Sequence, residues 1–421
     1  MIAEILAFHP TGSPVFAPPS KSMAHRAVLC AALAEGTSRV EHLEFSQDIA
    51  ATLSAAARLG AGVETGPDWA LLRGGLLRRP DGPVDCCESG STLRFLIPLA
   101  SLTGGPVTFT GRGRLMERPQ SVYQELFSAQ ELEFRQGPDG LTIGGPLWPG
   151  KYPVRGDVSS QFVSGLLFAL PLLKRESTLR LIPPVESRSY IEMTRAVQAA
   201  FGVESFWQDE YTLRIPGGQA YRPRAYTVEG DYSQAAFPAV LGALCGGVTL
   251  TGLAADTLQG DAVILDILRR CGARFARDAA GLHFEKSLLH GVEIDLADCP
   301  DLGPVLMALG LFCEGETVIR NAGRLRLKES DRIAAMEAEL RACGGVVSSE
   351  GDVVRLRRST LHRPVRPLCG HNDHRVVMSL TVLALAAGLP LSIEGAEAIQ
   401  KSWPSFFAVI RQLGGEVNEL G

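Results

Sequence analysis

The sequence predicts an α/β (α+β) protein made of two halves, each of three repeated units. Three observations point there. Six polar or charged clusters recur at one phase: Pro19-Ser20-Lys21-Ser22, Glu88-Ser89-Gly90-Ser91, Ser159-Ser160-Gln161, Asp231-Tyr232-Ser233, Asp298-Cys299-Pro300-Asp301 and Asn372-Asp373-His374-Arg375. With Ser20, Ser91, Ser159, Ser233, Asp301 and Asp373 as anchors, the steps are 71, 68, 74, 68 and 72 residues, and a fixed period of this kind marks duplicated supersecondary units. An apolar, Ala/Leu-rich stretch of helical length runs behind each cluster, as at 27–33, 93–102 and 376–387. Then come a glycine and a β-branched run, such as Gly247-Val248-Thr249-Leu250 and Gly315-Glu316-Thr317-Val318. Helix followed by strand throughout gives the class.

The elements follow in order. Met1-Ile2-Ala3-Glu4-Ile5-Leu6 reads as a strand from the start, with no signal or transit segment, so a cytoplasmic protein is expected. Each cluster supplies helix N-caps. Each unit closes on a second helix-like stretch and a strand, marked by Leu59-Gly60-Ala61-Gly62, Phe201-Gly202-Val203, Cys271-Gly272-Ala273, Cys343-Gly344-Gly345 and Leu413-Gly414-Gly415. Pro18-Pro19 and Thr227-Val228-Glu229-Gly230 are natural crossing points. They predict one domain over 20–229 and a discontinuous one over 1–19 and 230–421. Two linking segments favour a hinge, with ligands bound in the cleft between domains. A helix N-terminus offers free N–H groups and the positive end of the dipole. Six of them, if gathered, suit a multiply negative ligand.

Composition sets the outer limits. A chain of 421 residues exceeds one core, and 46 % apolar with 21 % charged residues is ordinary for a globular protein. The net charge of −5 argues against nucleic-acid binding, which needs a strong basic field. No apolar run reaches the roughly 20 residues of a membrane span. The nine cysteines are scattered and never spaced C-x-x-C, so they read as reduced thiols; the eight histidines form no ligand pattern, and no metal is expected.

Basic residues gather at or near the repeat starts. Lys21 and Arg26 lie in the first turns of a capped helix. Arg112, Arg114 and Arg118 lie in a Gly/Arg-rich loop. Arg324, Arg326, Lys328 and Arg332 surround Glu329, with Lys328 and Arg332 four apart. Arg375 and Lys401 follow. Any one of these reads equally well as a solvated helix start or surface loop. Five such clusters in an acidic chain imply anionic ligands, because Arg forks bind carboxylate and phosphate and Lys is a compact charge that can also move a proton.

The motifs S-K-S-x-x-x-R, G-[ST]-[TA]-x-R, R-P, S-S-Q, K-E-[ST]-D-R, N-D-H-R and K-[ST]-x-P stand in this order along nearly the whole chain. The chain thus resembles the 5-enolpyruvylshikimate-3-phosphate (EPSP) synthase family, the 3-phosphoshikimate 1-carboxyvinyltransferases of aromatic amino acid biosynthesis. The resemblance implies two domains of three βαβαββ repeats about a pseudo-threefold axis, an inside-out α/β barrel. It implies an addition–elimination in which phosphoenolpyruvate gives its enolpyruvyl group to the 5-hydroxyl of shikimate 3-phosphate and releases phosphate, with no cofactor. A monomer with only these two small-molecule partners is expected. Carried over by motif, Lys21, Gly90, Arg118, Gln161, Arg332, Arg375 and Lys401 surround phosphoenolpyruvate. Lys21, Ser22, Arg26, Ser159, Ser160, Gln161, Ser187, Asp301, Arg324 and Lys328 hold shikimate 3-phosphate. Asp301 takes the 5-hydroxyl proton, Glu329 serves the methylene carbon and Lys21 assists phosphate departure. Tyr190 reads either as part of the Ser187 motif or as core.

Three positions depart from the common family pattern: Glu88 where Asn is frequent, Phe95 where Pro is frequent and Arg324 where Asn is frequent. They bear on substrate contacts and on sensitivity to glyphosate, which in the family competes with phosphoenolpyruvate. Gly90, lacking a Cβ, is expected to let the backbone approach that ligand closely. The alternative reading is the sister family that acts on UDP-N-acetylglucosamine. It shares the repeat plan but carries a cysteine in the loop before its Arg-Pro and lacks N-D-H-R. Residues 111–119 have no cysteine.

Overall fold

The apolar stretches behind the clusters are helices buried on every side. In the computed structural model, which describes residues 1–421, Tyr232–Cys245 and His374–Ala387 each bury all but their last two residues, and Gly90–Ser101 buries all but Ser91. A helix that is apolar all round belongs inside a domain. The chain divides into two units, one of Lys21–Val228 and one of Met1–Ser20 with Glu229–Gly421. The first holds the buried helices Lys21–Leu33, Gly90–Ser101 and Ser160–Ala169. The second holds Tyr232–Cys245, Gly303–Gly310 and His374–Ala387.

Around each trio lie three four-stranded sheets, and all six sheets follow one plan. In the clearest copy, Val84–Asp85 pairs in parallel with Val107–Thr110, which pairs antiparallel with Gly140–Ile143, which pairs antiparallel with Phe134–Gly137. The chain order is therefore β-α-β-α-β-β. A parallel pair needs a crossover, and the buried helix is that crossover. Side chains alternate: Lys151–Arg155 points Tyr152 and Val154 inward and its other residues outward. In each unit the three buried helices are thus inside, with the sheets and the second, partly buried helix of each copy, its outer helix, around them.

Three sheets borrow a strand from far along the chain. Ala225–Thr227 lies parallel to Gly36–Glu41. Pro14–Phe16 lies parallel to Val248–Thr251. Ile2–Phe8 sits between Leu391–Glu394 and Gly415–Leu420. The glycine that follows each outer helix has a left-handed backbone in five copies, with φ of 114° at Gly60, 82° at Gly202, 93° at Gly272, 84° at Gly344 and 107° at Gly414. Such a residue closes a helix C-terminus without a Cβ penalty, which explains the recurring glycine in the sequence.

The clusters cap the buried helices at four of the six starts. Side chains of Ser89, Ser159, Asp231 and Asp373 accept from the N–H of Thr92, Gln161, Gln234 and Arg375. Asp301 does otherwise. It lies in the 3-10 turn Pro300–Leu302, and its carboxylate turns to basic side chains. All nine cysteines are free thiols, six of them buried. No helix is long and apolar enough to cross a membrane.

Candidate active site

In the Lys21–Val228 unit, three helix starts are tied together by polar side chains. The Gln161 amide nitrogen donates to Ser91 Oγ (2.9 Å), and Gln161 Oε1 accepts from Arg94 (2.8 Å). Arg94 also donates to Gln120 and to the Pro119 carbonyl, and its guanidinium lies over Phe162. Gly90 faces Arg118: a Cβ built on Gly90 would stand 2.7 Å from an Arg118 terminal nitrogen. The Arg118 side chain is buried and its Nε has no hydrogen-bond partner. A buried cation left with an unused donor is costly unless an anion completes it.

Arg26 is held firmly. It donates to Thr194 Oγ1, Ser164 Oγ and the carbonyls of Ser22 and Tyr190, and it stacks over Phe95 and Tyr190. Four of its five N–H donors are therefore engaged within the unit. Lys21 Nζ pairs with Asp48 at 2.7 Å. His25 Nδ1 meets Thr52 Oγ1, which meets Thr92 Oγ1, which donates to Ser89 Oγ, so a buried chain links two helix starts. Burial, then Lys21 and Arg26, hold His25 well below the usual histidine range. Ser187 begins the Arg188–Ala200 helix in a left-handed conformation (φ 56°).

In the other unit, Asp301 is the meeting point of three cations. Its oxygens lie 3.1 Å from Lys328, Arg332 and Arg375, and its carbonyl accepts from Arg375 at 3.0 Å. Burial alone would push the carboxyl up, but Arg375, Lys328 and Arg332 outweigh it and hold Asp301 well below the usual carboxylate range. Arg332 in turn serves three carboxylates: Asp301, Glu329 (2.8 Å) and Asp373 (2.8 Å). Burial disfavours its charge, yet Asp373, Glu329 and Asp301 raise its pKa above the usual arginine value. Burial lowers Lys328, with Asp301 opposing. Arg375 also donates to Ser233 Oγ, which donates to Asp231. Lys401 donates to the Asn372 carbonyl (2.6 Å), and Arg324 to the Ala297 carbonyl (2.6 Å). Five cations thus gather with four carboxylates, Asp231 joining through Ser233, and the remaining excess of positive charge suits an anion.

The structure brings Asp301, Lys328, Glu329, Arg332 and Arg375 into direct contact. Lys401 joins through Asn372, while Arg324 is bonded to Ala297. In the first unit, Gly90 and Arg118 form one contact pair. Gln161, whose helix is capped by Ser159 and begins at Ser160, is bonded to Ser91. Ser22 meets Arg26 through its carbonyl. Tyr190 is half-buried and lends Arg26 its carbonyl and ring face. Glu88 leans toward Gly113 of the Arg-rich loop. The neighbour that a methyl on Gly90 would meet first is Arg118, a group of the protein itself. The sequence gives Asp48 and Arg94 no role, and Ser233 and Asp373 none beyond marking helix starts. Arg94 and Asp373 stood in quoted motifs; Asp48 and Ser233 are 27 and 142 residues from the partners that give them meaning.

Comparison with known proteins gives this arrangement a class. At TM-score 0.81 the fold is that of EPSP synthase from Acinetobacter baumannii, 24 % identical with 99 % of this chain and all of that one covered. It matches an enolpyruvyl transferase, NikO, from Streptomyces tendae equally well, 18 % identical with 99 % and 98 % covered. The architecture is therefore the enolpyruvyl transferase fold. Residues 10–410 match the profile of EPSP synthase (3-phosphoshikimate 1-carboxyvinyltransferase). The chain is 43 % identical to the 3-phosphoshikimate 1-carboxyvinyltransferase of Clostridium kluyveri over 412 residues, 96 % of this chain and 95 % of that one. It is 40 % identical to that of Clostridium acetobutylicum and 38 % to that of Clostridioides difficile, with the same coverage. The chain belongs to the EPSP synthase family.

Proposed function

We propose that the protein moves the enolpyruvyl group of phosphoenolpyruvate to the 5-hydroxyl of shikimate 3-phosphate. As a member of its family the chain is a transferase of the shikimate pathway and hence of aromatic amino acid biosynthesis. The single observation that carries the reading is the Asp301–Arg332–Glu329 contact: two candidate proton carriers share one buried guanidinium.

Both substrates carry a phosphate and a carboxylate, so charge neutralisation comes first. Lys21, Arg118, Gln161, Arg332, Arg375 and Lys401, with Gly90 backbone, take phosphoenolpyruvate. Lys21, Ser22, Arg26, Ser159, Ser160, Gln161, Ser187, Arg324 and Lys328 take shikimate 3-phosphate, with Asp301 at its 5-hydroxyl. The side chain of Arg26 has one donor left for a ligand, so it acts largely by holding the Lys21–Leu33 helix against the Ser187 helix.

The chemistry then needs protons moved within hydrogen-bond reach. Asp301 accepts the 5-hydroxyl proton as the oxygen bonds to C2 of phosphoenolpyruvate. Glu329 delivers a proton to the methylene carbon and removes one on elimination. Lys21, pinned by Asp48, assists phosphate as its C–O bond breaks. With three cations on Asp301 its carboxylate is a weak base. Arriving anions compete for Lys328, Arg332 and Arg375, and its basicity rises when it is needed. The protein acts as a monomer in the cytoplasm. The test is ³¹P NMR of the protein mixed with both substrates: inorganic phosphate and a new phosphoshikimate ether appear together, whereas unchanged substrate signals would refute the reading.

A further inference from the structure

The loop that delivers the Asn372-Asp373-His374-Arg375 cluster has an unusual backbone. His371 and Asn372 are both left-handed, with φ of 50° and 51°. Two adjacent non-glycine residues in that region persist only where surroundings over-determine them. The equivalent loop of the second repeat shows what is ordinary. There Val84–Asp85 leads to Cys87, also at φ 50°, and the Cys87 N–H donates to Asp85 two residues back (2.8 Å). In the last repeat Leu368–Cys369 leads to His371, whose N–H donates to Cys369 Sγ (3.3 Å). The second left-handed residue, Asn372, has no counterpart in the earlier copy, because Glu88 is not left-handed.

A buried carboxylate outside the site described above braces this extra turn. Glu339, 2 % exposed, accepts from both terminal nitrogens of Arg366 (3.0 Å each), from His371 Nε2 (3.0 Å) and from the Cys369 N–H (3.2 Å). It sits two turns along the Arg332–Ala342 helix whose first residue, Arg332, grips Asp373. One helix therefore holds the 369–373 loop at both ends. What the loop presents is the machinery itself: the Asn372 carbonyl to Lys401, Asp373 to Arg332 and Ser330, and Arg375 to Asp301.

We infer that Glu339, with His371, is a positioning residue for the phosphoenolpyruvate-binding cations Lys401, Arg375 and Arg332. The inference rests on the proposed assignment of those cations. Removing the brace lets Asn372 relax from its left-handed state, which withdraws its carbonyl from Lys401 and turns the start of the His374–Ala387 helix. Of the residues that take shikimate 3-phosphate only Asp301 is bonded to these cations, so the effect falls mainly on one substrate.

The experiment is steady-state kinetics of Glu339→Ala, Glu339→Gln, His371→Ala and the double variant, with thermal unfolding in parallel. Glu339→Ala and His371→Ala should each raise KM for phosphoenolpyruvate about tenfold, the loss of a charged hydrogen bond that orients a binding group, and should leave KM for shikimate 3-phosphate within about twofold. The double variant should cost no more than the worse single one. Glu339→Gln, which keeps an acceptor oxygen, should be milder. A purely structural brace would lower Tm and leave both KM values unchanged, and that result overturns the inference; so does an equal rise in both KM values. Should Glu339→Ala fail to fold, Glu339→Gln and the half-exposed His371→Ala carry the same comparison. Lys401→Ala separates the two claims. If it fails to raise KM for phosphoenolpyruvate, the cation assignment falls; if it does and the Glu339 and His371 variants do not, only the positioning role falls.

Discussion

Arg332 and Asp373 form a two-pronged ion pair in which neither side chain reaches solvent: Nε to Oδ2 at 2.8 Å and a terminal nitrogen to Oδ1 at 3.2 Å. Asp373 spends its remaining capacity on Ser330 and on capping the His374–Ala387 helix. The pair therefore joins a helix that begins with the site's central cation to the buried helix that carries Arg375. Breaking a buried pair by removing one partner leaves a charge without compensation and typically costs about 3–5 kcal/mol. Asp373→Ala should lose about that much stability by denaturant unfolding. Arg332→Lys, which keeps the charge but not the fork, should lose less stability yet still depress kcat/KM. Equal stability of Asp373→Ala and the parent protein would mean the pair is not structurally central.

Asp301→Asn and Glu329→Gln retain shape and lose basicity. Each should lower kcat by roughly 10²–10⁴, the usual scale for a general acid or base. Shikimate 3-phosphate should still bind when titrated calorimetrically, and Lys21→Ala should abolish turnover. Near-parent kcat in both carboxylate variants would remove them from proton transfer.

Gly90→Ala acts through Arg118. The new methyl meets the guanidinium at 2.7–3.1 Å, inside any normal contact, so Arg118 must move. KM for phosphoenolpyruvate should rise about tenfold, as expected for a displaced charged donor, while KM for shikimate 3-phosphate changes little. If Gly90→Ala raises KM equally on an Arg118→Ala background, the guanidinium is not the mediator.

His25 predicts an acid weakness. Its pKa in the fold lies well below 6.5, so the unfolded chain takes up this proton first. Stability is fully present above about pH 6.5 and falls as pH drops below it, by up to about 1.4 kcal/mol per pH unit for one proton. His25→Asn, whose amide can still donate toward Thr52, should flatten that slope when unfolding free energies are compared at pH 7 and pH 5.5. An unchanged slope would assign the acid sensitivity to other groups.

Much of this was legible in the sequence because it is written six times. The buried helices and their polar starts recur at one phase, so the clusters that hold Ser89, Ser159, Asp231 and Asp373 read as helix starts from the sequence alone. The outer-helix glycines were visible for the same reason. What escaped were pieces too short or too distant for periodicity. Val84–Asp85 and Leu368–Cys369 are two-residue strands, below the length at which alternation carries a signal. Ala225–Thr227 finds its partner strand 186 residues away. Asp301 was legible as a site carboxylate through its motif, but not as the meeting point of Lys328, Arg332 and Arg375, which reach it from other segments. Asp48 lies in an amphipathic helix and Glu339 on the buried face of a helix whose polar and apolar residues are hardly segregated, and only folding reveals the cations beside them.

The central claim is an enolpyruvyl transfer that needs both substrates at once. Its most direct test is the initial rate of inorganic phosphate release with phosphoenolpyruvate alone, with added shikimate 3-phosphate, and with added UDP-N-acetylglucosamine. Enolpyruvyl transfer to shikimate 3-phosphate predicts release only in the second mixture, and loss of that release in Lys21→Ala. Release in the third mixture but not the second would contradict it.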